Sequence, residues 1–188
     1  MERKALIVVD VQNDFCPSGS LPVPNGDQVV PIVNKLIDHA RHNDWLVLAS
    51  RDSHPRITSH FNIWPKHCIS GTYGSEFHRG LTQIFHSEIY YKGQYEDEDA
   101  YSAFQGRNIF GAFLAETLIH NEVEKVYIVG LATDYCVKET ALDSVKQWQT
   151  YVVIDACRAV HPDKQDQVIE FMKAKEVSIV SMQEIINE

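Results

Sequence analysis

The chain has 188 residues, 44% hydrophobic and 23% charged, a composition that fits one packed domain over residues 1–188 and excludes a disordered chain. A formal net charge of −9 without any local Lys/Arg cluster argues against a nucleic-acid partner, because a phosphate backbone would be repelled. The first apolar run is too short for a signal peptide or a membrane span, so the expectation is a cytoplasmic protein with no membrane association. Four widely spaced cysteines without a CxxC pair are expected to be free thiols.

Residues 5–9 form a continuous β-branched apolar run ending at Asp10, the pattern of a strand buried on both faces. From Asp27 onward, Val30, Ile32, Val33, Leu36, Ile37 and Ala40 recur at helical spacing, and residues 45–49 form a second strand ending near Arg51 and Asp52. Residues 53–106 are poorer in pattern and rich in Pro and Gly, with one strand at 88–91; a long irregular region inside a domain is usually functional. The alternation then resumes: a helix over 109–119, a strand over 126–129, a helix over 140–148, a strand over 151–154, a helix over 165–174 and a last strand over 177–180. This order specifies an α/β fold, a three-layer αβα architecture around a central, mostly parallel sheet.

In such sheets ligands sit beyond the carboxyl ends of the strands, which directs attention to Asp10, Asp52, Lys92, residues 132–136 and Asp155. Cys136 follows a strand and a short turn, where a helix N-terminus and a nearby cation would lower a thiol pKa; it could equally be a small buried hydrophobe. Asp10 alone could cap a turn, and Lys92 alone could be a solvated edge charge. Together, the three supply a nucleophile, a proton acceptor and a cation. A second group, Asp52, His54, His60 and His67, has the donor types for Zn²⁺, Fe²⁺ or Mn²⁺, although nine histidines in the chain leave chance clustering open. His39, His42, His86, His120 and His161 have no comparable setting.

The segments Val9-Asp10-Val11-Gln12-Asn13-Asp14-Phe15-Cys16-Pro17, Trp64-Pro65-Lys66-His67-Cys68, Tyr91-Lys92-Gly93 and Gly130-Leu131-Ala132-Thr133-Asp134-Tyr135-Cys136-Val137 resemble the nicotinamidase/pyrazinamidase branch of the isochorismatase-like cysteine hydrolases, over residues 4–180. The resemblance implies that Cys136 attacks the carboxamide of nicotinamide. Asp10 would relay the proton, Lys92 would hold the charged pair, and a thioester would then be hydrolysed to nicotinate; pyrazinamide is expected as a second substrate. It implies a cis peptide before Ala132, with the amides of Ala132 and Cys136 forming an oxyanion hole. It also implies one divalent metal ion, Zn²⁺ in the first place and Fe²⁺ or Mn²⁺ otherwise, held by Asp52, His54, His60 and His67 and facing the pyridine nitrogen. Phe15, Leu21, Trp64, Tyr101, Leu131 and Ala132 would contact the substrate, and a homo-oligomer is compatible with the family. Ser18 and Tyr135 depart from the commonest family residues without removing a chemical group.

Three other readings compete. The fold could act on a different amide or ureido compound, could serve as a non-catalytic binding module, or could use the Asp/His group as a metal hydrolase in which Cys136 is incidental. Replacing Cys136 by Ala separates the last from thiol catalysis.

Overall fold

Alternate residues of the first strand, β1 (Lys4–Val9), face opposite sides of a sheet, so an unbroken apolar run needs cover on both. In the computed structural model, which describes residues 2–187, that cover comes from two helical layers. Leu6 and Val8 pack against α1 (Val29–His42) and α5 (Met182–Ile186). Ala5, Ile7 and Val9 pack against α2 (Leu114–His120), α3 (Lys138–Ser144) and α4 (Gln165–Lys173). The helix α1 shows the mechanism clearly, burying Val29, Val30, Val33, Leu36, Ile37 and Ala40 along one stripe.

The other strands are β2 (Leu46–Asp52), β3 (Glu88–Lys92), β4 (Lys125–Leu131), β5 (Gln149–Arg158) and β6 (Ser178–Val180). They pair in the order β3-β2-β1-β4-β5-β6, and every pairing is parallel. The chain runs outward from β1 to β3 and then returns to the opposite side of β1, so the order reverses between β1 and β4. That reversal opens a crevice at the carboxyl ends of the two central strands. No helix among the described residues is long and apolar enough to cross a membrane.

Two expected elements differ, and one helix was not expected. The helix over 109–119 begins only at Leu114. Ahead of it the Asn108 side chain accepts the amides of Phe110 and Ala112, and Gly111 at φ 85° closes a turn that leaves Ile109 and Phe110 exposed. The helix over 140–148 is displaced toward the N-terminus, as α3, and follows a π-helical turn at Thr133–Val137. The helix α5 went unforeseen, although Ser181 and Glu184 form the reciprocal capping box that marks a helix start.

Candidate active site

Four strand ends supply the polar centre. Asp10 follows β1, Asp52 ends β2, Lys92 ends β3, and Cys136 lies in the turn after β4. All four are buried, Asp10 and Lys92 completely. The Lys92 ammonium lies 2.9 Å from Asp10 Oδ2, donates to Asp52 Oδ1, to the Ala100 carbonyl at 3.2 Å and to Cys136 Sγ at 3.5 Å. Ser50 Oγ donates to Asp10 Oδ1 at 2.7 Å. Carboxylate oxygens of Asp10 and Asp52 and the Cys136 sulfur all lie within 4.8 Å of one another.

Burial would lower the Lys92 pKa, but Asp10, Asp52 and Cys136 outweigh it and hold the ammonium well above its ordinary value. Burial likewise opposes ionisation of Asp52, yet Lys92 and His54 keep its carboxyl below the carboxylate range. At Asp10 burial prevails over Lys92 and the carboxyl is raised. The expected lowering of the Cys136 thiol is not found. Burial pushes it well above its ordinary value, Lys92 opposes this, and Asp10 and Asp52 add to the rise. The physical reason is that two carboxylates already share the one ammonium, so a resting thiolate would be a third negative charge in a water-poor centre.

The histidines gather next to this group. Ligand nitrogens of His54, His60 and His67 lie within 4.8 Å of one another, and Asp52 Oδ2 lies 3.7 Å from His54 Nε2 and 3.9 Å from His67 Nε2. Each imidazole is oriented through Nδ1: His54 to the Gly93 carbonyl at 3.0 Å, His67 to the Pro65 carbonyl at 2.7 Å, and His60 to an Asp99 carboxylate oxygen. Holding Nδ1 this way turns Nε2 inward, and His54 Nε2 is buried without a partner. Burial lowers the pKa of His60 and His67, favouring the neutral, ligating form. An orphaned buried nitrogen, three oriented imidazoles and a free carboxylate oxygen fit a divalent cation.

Both groups open on one small cavity, lined by Asp52, His60, His67, Ala132 and Cys136 together with the walls. All the expected substrate-contact residues, Phe15, Leu21, Trp64, Tyr101, Leu131 and Ala132, line it. Sequence reasoning missed Val23, Ala100 and Val160, and treated Tyr135 only as a departure in fit. Tyr135 meets Trp64 edge to face at 5.1 Å and stacks on Tyr101 at 6.2 Å, while Trp64 Nε1 donates to Tyr101 Oη at 2.9 Å. The Leu131–Ala132 peptide is cis, as the resemblance implied. Asp155 does not join the site; its carboxylate accepts the Met182 amide at 2.9 Å, at the start of α5.

Three motif residues prove to be braces. Gln12 accepts the Asp52 amide at 2.9 Å and donates to the carbonyls of Asp52 and Ser75. Asp14 accepts the amides of Ser20 and Cys68, joining the loop after β1 to the segment that carries His67. Asp134 accepts the amides of Val160 and His161, both at 2.9 Å, tying the cysteine turn to the loop after β5. No periodicity announces such roles; only a buried polar residue inside a motif hints at them.

The isochorismatase-domain family profile matches residues 4–184. The chain belongs to the isochorismatase family. Among its relatives in that family, the nicotinamidase/pyrazinamidase of Mycobacterium tuberculosis is 37% identical over 94% of this chain and 98% of its own length. The nicotinamidase of Escherichia coli is 35% identical over 92% and 91%. The crystal structure of the pyrazinamidase of Pyrococcus horikoshii in complex with zinc superposes with a TM-score of 0.87 at 40% identity, covering 95% of this chain and 99% of that one.

Proposed function

We propose that the protein hydrolyses nicotinamide to nicotinate and ammonia and also accepts pyrazinamide. The observation that carries this reading is one cavity that brings the Cys136 thiol and the Asp52/His60/His67 group to the same small, aromatic-walled space. A flat heteroaromatic ring suits walls of Phe15, Trp64, Tyr101 and Tyr135, and its carboxamide would then lie against Cys136. The nicotinamidases and the zinc-bound pyrazinamidase among its relatives support the same substrate class.

The residues divide the chemistry as follows. As Cys136 sulfur bonds to the amide carbon, its proton passes to Asp10, so the high thiol pKa is overcome during attack and needs no resting thiolate. The amides of Ala132 and Cys136 would receive the oxyanion. Collapse breaks the carbon–nitrogen bond, and Asp10 returns the proton to the departing nitrogen as ammonia. Water then loses a proton to Asp10 and adds to the thioester; the carbon–sulfur bond breaks, the sulfur takes the proton back from Asp10 to restore the thiol, and the acid leaves as nicotinate with its proton released to solvent. Lys92 keeps Asp52 ionised and balances charge throughout. A divalent ion held by Asp52, His54, His60 and His67 would supply Lewis acidity toward the ring nitrogen; the donor set and the zinc-bound relative favour Zn²⁺. The four unpaired, buried cysteines support a cytoplasmic setting.

The test is ammonia release from nicotinamide by the purified protein as isolated, after chelation, and after return of Zn²⁺, Fe²⁺ or Mn²⁺. Release that disappears on chelation and returns with one ion is expected, and Cys136→Ala is expected to abolish release while still binding metal. Full turnover by Cys136→Ala would assign the reaction to the metal group alone, and no release under any condition would overturn the substrate.

A further inference from the structure

His60 differs from the other two histidines in its partner. His54 and His67 are oriented by backbone carbonyls, whereas His60 Nδ1 meets the carboxylate of Asp99. His60 is almost fully buried, and Asp99 is 43% exposed on the loop between β3 and the cavity wall. That loop is tied to the His60 segment at two further points: Thr58 Oγ1 donates to the Glu96 carbonyl at 3.0 Å, and the Ser59 amide donates to the same oxygen at 2.8 Å. One residue past Asp99, the Ala100 carbonyl accepts from Lys92, and one further on Tyr101 forms a cavity wall.

We propose that Asp99 is a positioning residue for the metal centre, holding the His60 ring so that Nε2 is directed to the ion and strengthening it as a donor. This rests on the metal reading above and adds to it a residue that touches neither the ion nor the substrate. A carboxylate is a stronger acceptor than a carbonyl, so the His60 bond is the charge-assisted one of the three. Loss of such a partner typically weakens metal binding by about 10- to 100-fold. Asp97, exposed on the same loop, provides the matched control for charge alone.

The experiment compares the chelator-stripped wild type, Asp99→Asn and Asp97→Asn, titrated with Zn²⁺ against a chromophoric chelator, and records the visible spectrum of each protein loaded with Co²⁺. The expected result is Zn²⁺ affinity at least about 10-fold weaker for Asp99→Asn, with a changed Co²⁺ spectrum, and unchanged behaviour for Asp97→Asn. Equal weakening in both variants would reduce the effect to general charge and overturn the proposal, as would wild-type affinity in Asp99→Asn. A wild type that takes up neither ion would overturn the metal reading and this proposal with it, an outcome distinct from the other two.

Discussion

Lys92 has no exposed surface, and its single ammonium pairs with two carboxylates and donates to a carbonyl and a thiol. Replacing it by Met would leave the carboxylates of Asp10 and Asp52 buried without their cation, and removal of one partner from such a group costs roughly 3–5 kcal/mol. Urea unfolding of Lys92→Met should show that loss together with absent ammonia release; undiminished stability would mean that the charges are compensated elsewhere. Gly93, next in the chain, is required on two counts. Its φ is +66°, and an added Cβ would lie 2.4 Å from His54 Cε1. Gly93→Ala should therefore cost about 1 kcal/mol or more and weaken Zn²⁺ uptake by displacing the His54 ring, both readable in one set of thermal melts with and without the ion. The sequence shows a Gly after Lys92, but the imidazole that occupies the space beside it comes from another strand end, so the reason for the glycine is visible only in three dimensions.

At the scale of the element, the π-helical turn at Thr133–Val137 carries Cys136, the proposed nucleophile, and its outer support is Asp134. Asp134→Ala would free the amides of Val160 and His161 and release both the cysteine turn and a cavity wall. Hydrogen bonds to a charged acceptor are worth about 1.5–3 kcal/mol. The expected outcome is a fall in kcat/KM for nicotinamide larger than the loss in unfolding stability would explain, measured by steady-state kinetics beside urea titration; equal effects would make the brace merely structural. The strands and α1 were legible because burial on both sheet faces, or along one helical stripe, writes a continuous or 3.6-residue pattern into the chain. Residues 109–113 were misread as helix because Ile109 and Phe110 extend an apolar pattern that local Asn108 hydrogen bonds override. Asp10, Lys92, Cys136 and the histidine group were legible through motifs, whereas Gln12, Asp14, Asp99 and Asp134 form hydrogen bonds to backbone or side chains that the sequence does not place beside them, which leave no spacing to read.

For the molecule as a whole, the order β3-β2-β1-β4-β5-β6 brings four strand ends to one crevice, and the site is the place where they converge. Asp52 joins the two halves of that crevice, giving one oxygen to Lys92 and turning the other toward His54 and His67. A tightly bound ion present at about 100 times its dissociation constant would stabilise the fold by roughly 2.7 kcal/mol, so chelation should lower the melting temperature as well as activity. The all-parallel sheet also governs the order in which the protein can become functional. Val9 pairs with Gly130 and Lys4 with Lys125, so the two central strands meet only after a very long stretch of chain has been gathered, and contacts of that separation form slowly. After dilution from urea with Zn²⁺ present, helical circular dichroism should recover ahead of ammonia release. Asp10 and Cys136, which exchange a proton in the proposed mechanism, become neighbours only when β1 and β4 pair.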